Sequence, residues 1–234
     1  MFNFRAFETL NPWYMAGGAL VLPTDFAYQP YHAASAAAAQ VNLINPGTND
    51  AISPPVFPGK PLPGWGYSSG WTFDSVTQQR IISPFYWSPN IGDNGKYTII
   101  VRFANVSLGR YDNHVVSEQT NPGSTHDMCI VPTDPTAGKW FTNGQDLGAS
   151  QAGQVQTGVM AIADRKAYVN GVDTGLSIKA WTYLSASTNP VAIGWYNSGS
   201  SQPTMNGQIL AVSAYARVLT GAQIAAISAA MLLI

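Results

Sequence analysis

The clearest alternation of apolar and polar positions lies in YTIIVRF, where Tyr97, Ile99, Val101 and Phe103 fall on one face and Thr98, Ile100 and Arg102 on the other. A period of two over seven residues predicts a half-buried β-strand. GVMAIAD, residues 158–164, is short and apolar on both faces, the pattern of an inner strand covered from both sides. In KAYVNGVDTG the pair Asn170 and Gly171 sits between Val169 and Val172. Both residues tolerate positive φ, so the pair predicts a two-residue type I′ hairpin. PVAIGWY and GQILAVSAYARV predict two more strands, separated by the turn-rich NSGSSQPTMN.

The period changes near the end of the chain. Thr220 with Gln223 three residues on forms a capping box, and Leu219 can pack on Ile224 as a hydrophobic staple. The helix started there carries Ile224, Ile227 and Met231 on one stripe, with Ala229 and Ala230 allowing close approach to a sheet. Upstream, AASAAAA (Ala33 to Ala39) favours a short helix that Asn42, Asn45, Pro46 and Gly47 end. Pro54, Pro55, Pro58, Pro61 and Pro63 argue against helix and central strand in residues 53–70, predicting a long surface connection.

Residues 1–26 follow neither period, yet hold Phe2, Phe4, Phe7, Trp13 and Tyr14. Left in water, such a set is an exposed apolar patch of the kind that marks an interaction surface. The expectation is an N-terminal arm that docks these five rings on a partner or sister subunit, followed by one sandwich domain over residues 27–234. The alternative is that the arm folds back over an open face of the sandwich.

Length and charge narrow the function classes. A chain of 234 residues fits one large β-sandwich and buries roughly 70% or more of its unfolded surface without staples. The single cysteine, Cys129, excludes an intrachain disulfide framework. With 10% charged residues and a net charge of -1, the chain lacks the positive potential of a phosphate-driven nucleic-acid binder. The apolar stretch from Trp13 to Leu22 is short and interrupted by Gly17 and Gly18, so it does not read as a signal peptide. The apolar C-terminal run from Ile224 to Ile234 falls well below the ~20 residues of a membrane span, so no membrane partner is expected.

Little in the sequence points to catalysis. Glu8 and Glu118 are the two glutamates, and no aspartates are spaced by two along a predicted strand, as a carboxylate pair facing one groove requires. Gly66 to Gly70 spell G-x-S-x-G, but prolines precede the motif and a strand follows it, the wrong context for a nucleophile elbow. His114 and His126 lie near Asp112, Asp127 and Cys129, without the CxxC or HxxxH spacing of a zinc site. Trp195, Tyr196 and Asn197 stand where a strand meets a loop. A ring that stacks on a sugar face, with an amide for its hydroxyls, is the chemistry of carbohydrate binding. The competing reading is that Trp195 alternates inward with Ile193 into the core.

Five stretches, GWTFDSVTQQRI (70–81), YTIIVRFANVS (97–107), KAYVNGVDTG (166–175), PVAIGWYNSG (190–199) and MNGQILAVSAYARVLTGAQIAAI (205–227), carry a resemblance. Together they resemble the laminin-G-like members of the concanavalin A-like lectin and glucanase superfamily. The closing stretch matches best, through Gly207, Ile209, Tyr215, Arg217, Leu219, Thr220 and Ile224. The resemblance implies an all-β jelly-roll sandwich of two antiparallel sheets with a short C-terminal helix, and Arg217 at the joint between last strand and helix. It fixes fold rather than function, because this superfold carries lectins, glycosidases and structural modules.

The laminarinase-type pattern Glu-x-Asp-x-x-Glu is missing, which implies a protein that is not an enzyme and leaves glycoside hydrolysis as a distant third reading. Lectin-like relatives often hold a rim calcium, which implies Asp93, Asn94, Asp112 and Asn113 as oxygen ligands, although turn geometry alone explains such residues. No other cofactor is implied. The arm, single cysteine and closing module resemble proteins encoded among phage head and tail genes. The first expectation is therefore a non-catalytic structural or decorating virion protein, made in the host cytoplasm, displayed on the virion surface and homo-oligomeric. The alternative is a carbohydrate-binding module or lectin that recognises a host or surface glycan.

Overall fold

The computed structural model describes residues 13, 26–54, 60–85, 97–108, 113–118, 128–134, 139–142, 145–146, 153–163, 165–177, 190–195 and 204–234. In chain order these form β1 (Phe26–Tyr28), α1 (Ala36–Gln40), β2 (Gly64–Gly66), β3 (Gly70–Phe73), β4 (Ile81–Ser83), β5 (Thr98–Ala104), β6 (Val116–Glu118) and β7 (Met128–Val131). There follow β8 (Lys139–Thr142), β9 (Gln145–Asp146), β10 (Gly158–Ala163), β11 (Lys166–Val169), β12 (Val172–Ser177), β13 (Val191–Ile193), β14 (Gly207–Tyr215) and α2 (Gly221–Leu232).

The described strands make two antiparallel sheets, an all-β sandwich closed by the C-terminal helix. The first runs β12-β11-β10-β5-β14-β3-β2, with β1 as its eighth strand; the second runs β4-β13-β6-β7-β8-β9. The nine-residue β14 organises the first sheet. β5 pairs along one side of it, while the other side pairs first with β3 (Ile209 opposite Trp71) and then with β1 (Tyr28 opposite Val212). Between the sheets, Phe26, Tyr28, Trp71, Phe73, Ile99, Val101, Phe103 and Ile209 meet Ile81, Val116, Ile130, Val191 and Ile193.

The other face of β5 differs from the half-buried expectation. Ile100 is fully buried there with Val159, Ala161 and Tyr215, beneath Ile224, Ile227 and Met231 of α2. Burying those three helix side chains contributes roughly 5–9 kcal/mol gross. The capping box forms: Gln223 N donates to Thr220 Oγ1 (3.3 Å) and Thr220 N to Gln223 Oε1 (2.9 Å). Thr98 ties the turn before it, since its Oγ1 donates to the Arg217 carbonyl (3.0 Å) and accepts from Leu219 N (2.9 Å). The joint that the resemblance assigned to Arg217 is thus held at its backbone.

The type I′ hairpin is present between β11 and β12, with φ of 49° at Asn170 and 82° at Gly171. Asn170 also clips the hairpin to β10, donating from N to Val159 O (2.7 Å) and accepting at Oδ1 from Val159 N (2.9 Å). Gly194 ends β13 with φ of 74°, and a Cβ there would enter the ring of Phe73. Two boundaries move. Residues 64–66, within the expected proline-rich connection, form β2, because a short edge strand of Gly-Trp-Gly needs pairing on one side alone. Phe26, placed in the arm, starts β1 and is wholly buried in the sheet.

Candidate functional site

Where β1 leaves the first sheet, the chain crosses the β2–β3 hairpin and builds a surface feature out of aromatic rings. Tyr31 N donates to Leu210 O (3.3 Å), and His32 N donates to Tyr67 O (2.8 Å) in the hairpin turn. That turn is closed by Ser69 N on Gly66 O (3.1 Å). His32 takes a left-handed φ of 58°, a conformation that costs a non-glycine residue on the order of 1 kcal/mol and persists where surrounding contacts hold it. Here they do: the His32 ring lies between Tyr31 (centroids 3.9 Å, planes 28° apart) and Tyr67 (4.6 Å, 23°). Tyr31 is half-buried, His32 is exposed, and Tyr67, 60% exposed, ends the stack in solvent.

The ledge has a cation on its inner side. Arg102, buried on β5, donates from Nη1 to Phe103 O (2.7 Å) and Gly158 O (3.3 Å). Burial pulls its guanidinium below the usual arginine range, and the nearby Tyr31 phenol counteracts that pull. A cavity of about 60 Å³ opens between α1 and the hairpin, with Trp71 and Ile81 among its buried lining and Ala36, Gln40, Leu62 and Trp65 more exposed. The Trp65 indole, fixed by Nε1 donating to Pro30 O (2.9 Å), joins cavity and ledge. Gln40 is fixed too, its Nε2 donating to Ala51 O (3.0 Å). A ring open to solvent beside a small apolar pocket with an amide in its wall suits a ligand with an apolar face and polar edges.

The residues expected to carry function fall elsewhere. Trp195 is wholly buried, which corrects its assignment to a sugar-stacking rim. Its Nε1 donates to Ile81 O (2.8 Å), the Arg80 guanidinium lies 4.9 Å over its ring, and Ile82 and Ala192 pack beside it. Tyr196 and Asn197 lie outside the described residues. Asn113 is also buried and its amide is engaged in the fold. Nδ2 donates to Ser107 O (2.6 Å) and Thr133 Oγ1 (2.7 Å), while Oδ1 accepts from Asn206 N (3.0 Å), so the oxygen assigned to calcium is a structural acceptor. Asp93, Asn94 and Asp112 lie outside the described residues.

Trp13 is 5% exposed and packs with Ala27, Ile100 and the α2 cluster, its Nε1 donating to Gln29 Oε1 (2.7 Å). This one ring of the arm is therefore an anchor to its own sheet rather than a docking group. Phe2, Phe4, Phe7 and Tyr14 lie outside the described residues. The G-x-S-x-G letters fall in the β2–β3 turn, with strand on both sides and no helix after. Among the described residues no three His, Cys, Asp or Glu side chains gather to hold a metal ion, and no helix is long and apolar enough to cross a membrane.

Sequence reasoning missed Tyr31, His32, Trp65 and Tyr67. The available signal was an aromatic pair in a glycine-serine turn, GWGYSSG, that solubility alone does not explain. Its contact with the segment around Pro30, 35 residues earlier than Trp65, is visible only in the folded chain.

No protein-family model matches the sequence, and no curated protein matches it. Solved structures do share its fold. The sialidase of Trypanosoma rangeli in complex with sialic acid is similar at 15% identity and a TM-score of 0.59, over 89% of this chain and 33% of that one. In another complex of that sialidase, with a difluoro-KDN, the match spans 27% of its length, so this chain corresponds to a third or less of these relatives. Domain 4 of AbnA, a GH43 extracellular arabinanase from Geobacillus stearothermophilus, solved with arabinotriose, is similar at 15% identity and a TM-score of 0.55. That match covers 87% of this chain and 97% of the domain. At such identities the likeness is one of fold alone.

Proposed function

We propose that this protein is a non-catalytic carbohydrate-binding module, a lectin-like β-sandwich of the concanavalin A-like kind, that stacks a glycan on Tyr67 at the end of its aromatic ledge. The observation that carries the reading is the Tyr31–His32–Tyr67 stack, whose last ring is left 60% exposed while a strained histidine props it from behind. The C–H face of a sugar is apolar and its rim polar, so a rigid exposed ring gives it area at little entropic cost. The likeness in fold to an AbnA domain, itself solved with arabinotriose, supports the reading. The presence of two glutamates in the whole chain, Glu8 and Glu118, supports a module that binds without hydrolysing.

A glycan array followed by titration calorimetry tests this. The protein binds at least one glycan family. Tyr67→Ala weakens that binding by about tenfold, the loss of roughly 1.4 kcal/mol expected when an aromatic anchor is truncated, while the lost stack on His32 lowers the melting temperature by no more than about 5 °C and leaves the protein folded at the assay temperature. Failure to bind any glycan, or wild-type affinity in the variant, would overturn the reading. New reducing ends released from the bound glycan would overturn its non-catalytic part.

A further inference from the structure

The cavity beside the ledge has a size and a chemistry of its own. An engineered apolar cavity of about 150 Å³ takes the six carbons of benzene, so the 60 Å³ here takes roughly two or three non-hydrogen atoms. Trp71 and Ile81, both fully buried, make part of its lining apolar. Such lining favours a methyl group over water. Among the lining side chains Gln40 is the one amide. Gln40 spends its Nε2 on the Ala51 carbonyl, which accepts and cannot donate, so the amide cannot flip without losing that bond. Its Oε1 is then left as an acceptor with no protein donor among the described residues. The matching ligand group is a methyl joined through a carbonyl to an N–H: the methyl and carbonyl carbon fill the cavity, the carbonyl oxygen stays at its open mouth in water, and the N–H is a donor for Gln40.

We infer that this cavity is a specificity subsite for the acetamido group of an N-acetylated sugar, the methyl resting against Trp71 and Ile81 and the amide N–H donating to Gln40 Oε1. The inference rests on the carbohydrate-binding reading and adds the substrate class. The layout fits one sugar residue. Trp65, in the cavity wall, and Tyr67, at the end of the stack, are two positions apart on the β2–β3 hairpin, so at most about 7 Å separates their Cα atoms. In this inference a pyranose ring stacked on Tyr67 presents its C2 substituent to the cavity.

The test compares chitotriose and cellotriose, β-1,4-linked trisaccharides that differ by acetamido against hydroxyl at C2, titrated into the full chain. Chitotriose binds at least about tenfold more tightly. Ala36→Leu, which fills the cavity from an exposed helix position, brings the ratio of the two affinities close to one. Gln40→Met, which keeps the volume and removes the acceptor, lowers the ratio severalfold and serves if the first variant does not fold. Equal affinities in the wild type, or an unchanged ratio in both variants, would overturn the subsite. Array hits confined to glycans without N-acetyl groups, 6-deoxy sugars included, would overturn it while leaving glycan binding standing. The absence of any glycan hit removes both.

Discussion

Replacing Gly171 by alanine tests how the hairpin between β11 and β12 is seated on the helix. Two costs add at this position. The backbone sits at φ of 82°, where a Cβ costs about 1 kcal/mol relative to glycine. The added Cβ would also stand 2.7 Å from Ala225 Cα and 3.2 Å from Ser228 Cβ. The nearer atom is helix backbone and cannot swing aside, so α2 must lift from a sheet on which Ile224, Ile227 and Met231 are fully buried. Overpacking of this kind costs typically 1–3 kcal/mol. The sum is roughly 2–4 kcal/mol, which in a chain of this size lowers the melting temperature by about 5–15 °C. Gly175→Ala is the internal control: its φ is 75°, but nothing lies within 4 Å of the new Cβ, so it loses the backbone part alone, about 1 kcal/mol. Thermal and urea unfolding followed by circular dichroism read both. Equal losses in the two variants would refute the close approach of hairpin to helix, and no loss at Gly171 would refute the type I′ turn as well.

Two further outcomes follow from the buried polar groups. Asn113→Ala strands the donor of Asn206 and the partners of its own amide, so it destabilises by roughly 2–4 kcal/mol, equally in calcium and in chelator. A loss in urea unfolding that vanishes in chelator would mark Asn113 as a metal ligand after all. Tyr28 is buried, with its hydroxyl donating to the Asn49 carbonyl and bonded to Ser83 Oγ (2.8 Å). Burial raises its pKa above the usual phenol range, the Ser83 bond opposes the rise, and Asp50 adds to it. A raised pKa means the folded state favours the neutral phenol, so this stability is complete below about pH 10 and is lost as pH climbs beyond it. Tyr28→Phe loses about 1 kcal/mol at neutral pH and falls less steeply above pH 10; parallel alkaline profiles for the two proteins would contradict the assignment.

What could be read from the sequence was whatever local rules determine by themselves. β5 and β10 carry enough residues for their apolar pattern to register. Asn170 and Gly171 announce their hairpin because few other residues accept two consecutive positive φ angles. Thr220 and Gln223 announce the helix because a capping box is satisfied within four residues. The resemblance at the chain's end rests on the same local features. Of the second sheet, little beyond β13 was legible, since strands of two to four residues such as β4, β6 and β9 are too short to show a period and form because their partners are already in place.

The candidate site lies at the far end of that scale. Trp195 looked like a sugar platform because the sequence shows a ring near a loop and not what covers it; Ile81, Arg80 and Ala192 cover it only once β13 has paired with β4. Trp13, seen as bare in the linear chain, is covered by the outer face of the first sheet. Conversely, Tyr67 and His32 belong to segments with no shared period, and they stack because β1 and the β2–β3 hairpin are both seated along the same side of β14. Turns and caps are decided by contacts a few residues apart, which the sequence by itself determines. Exposure of a ring depends on neighbours far along the chain, 114 residues for Trp195 and Ile81, and only the closed sandwich decides which of the chain's aromatics are left facing water.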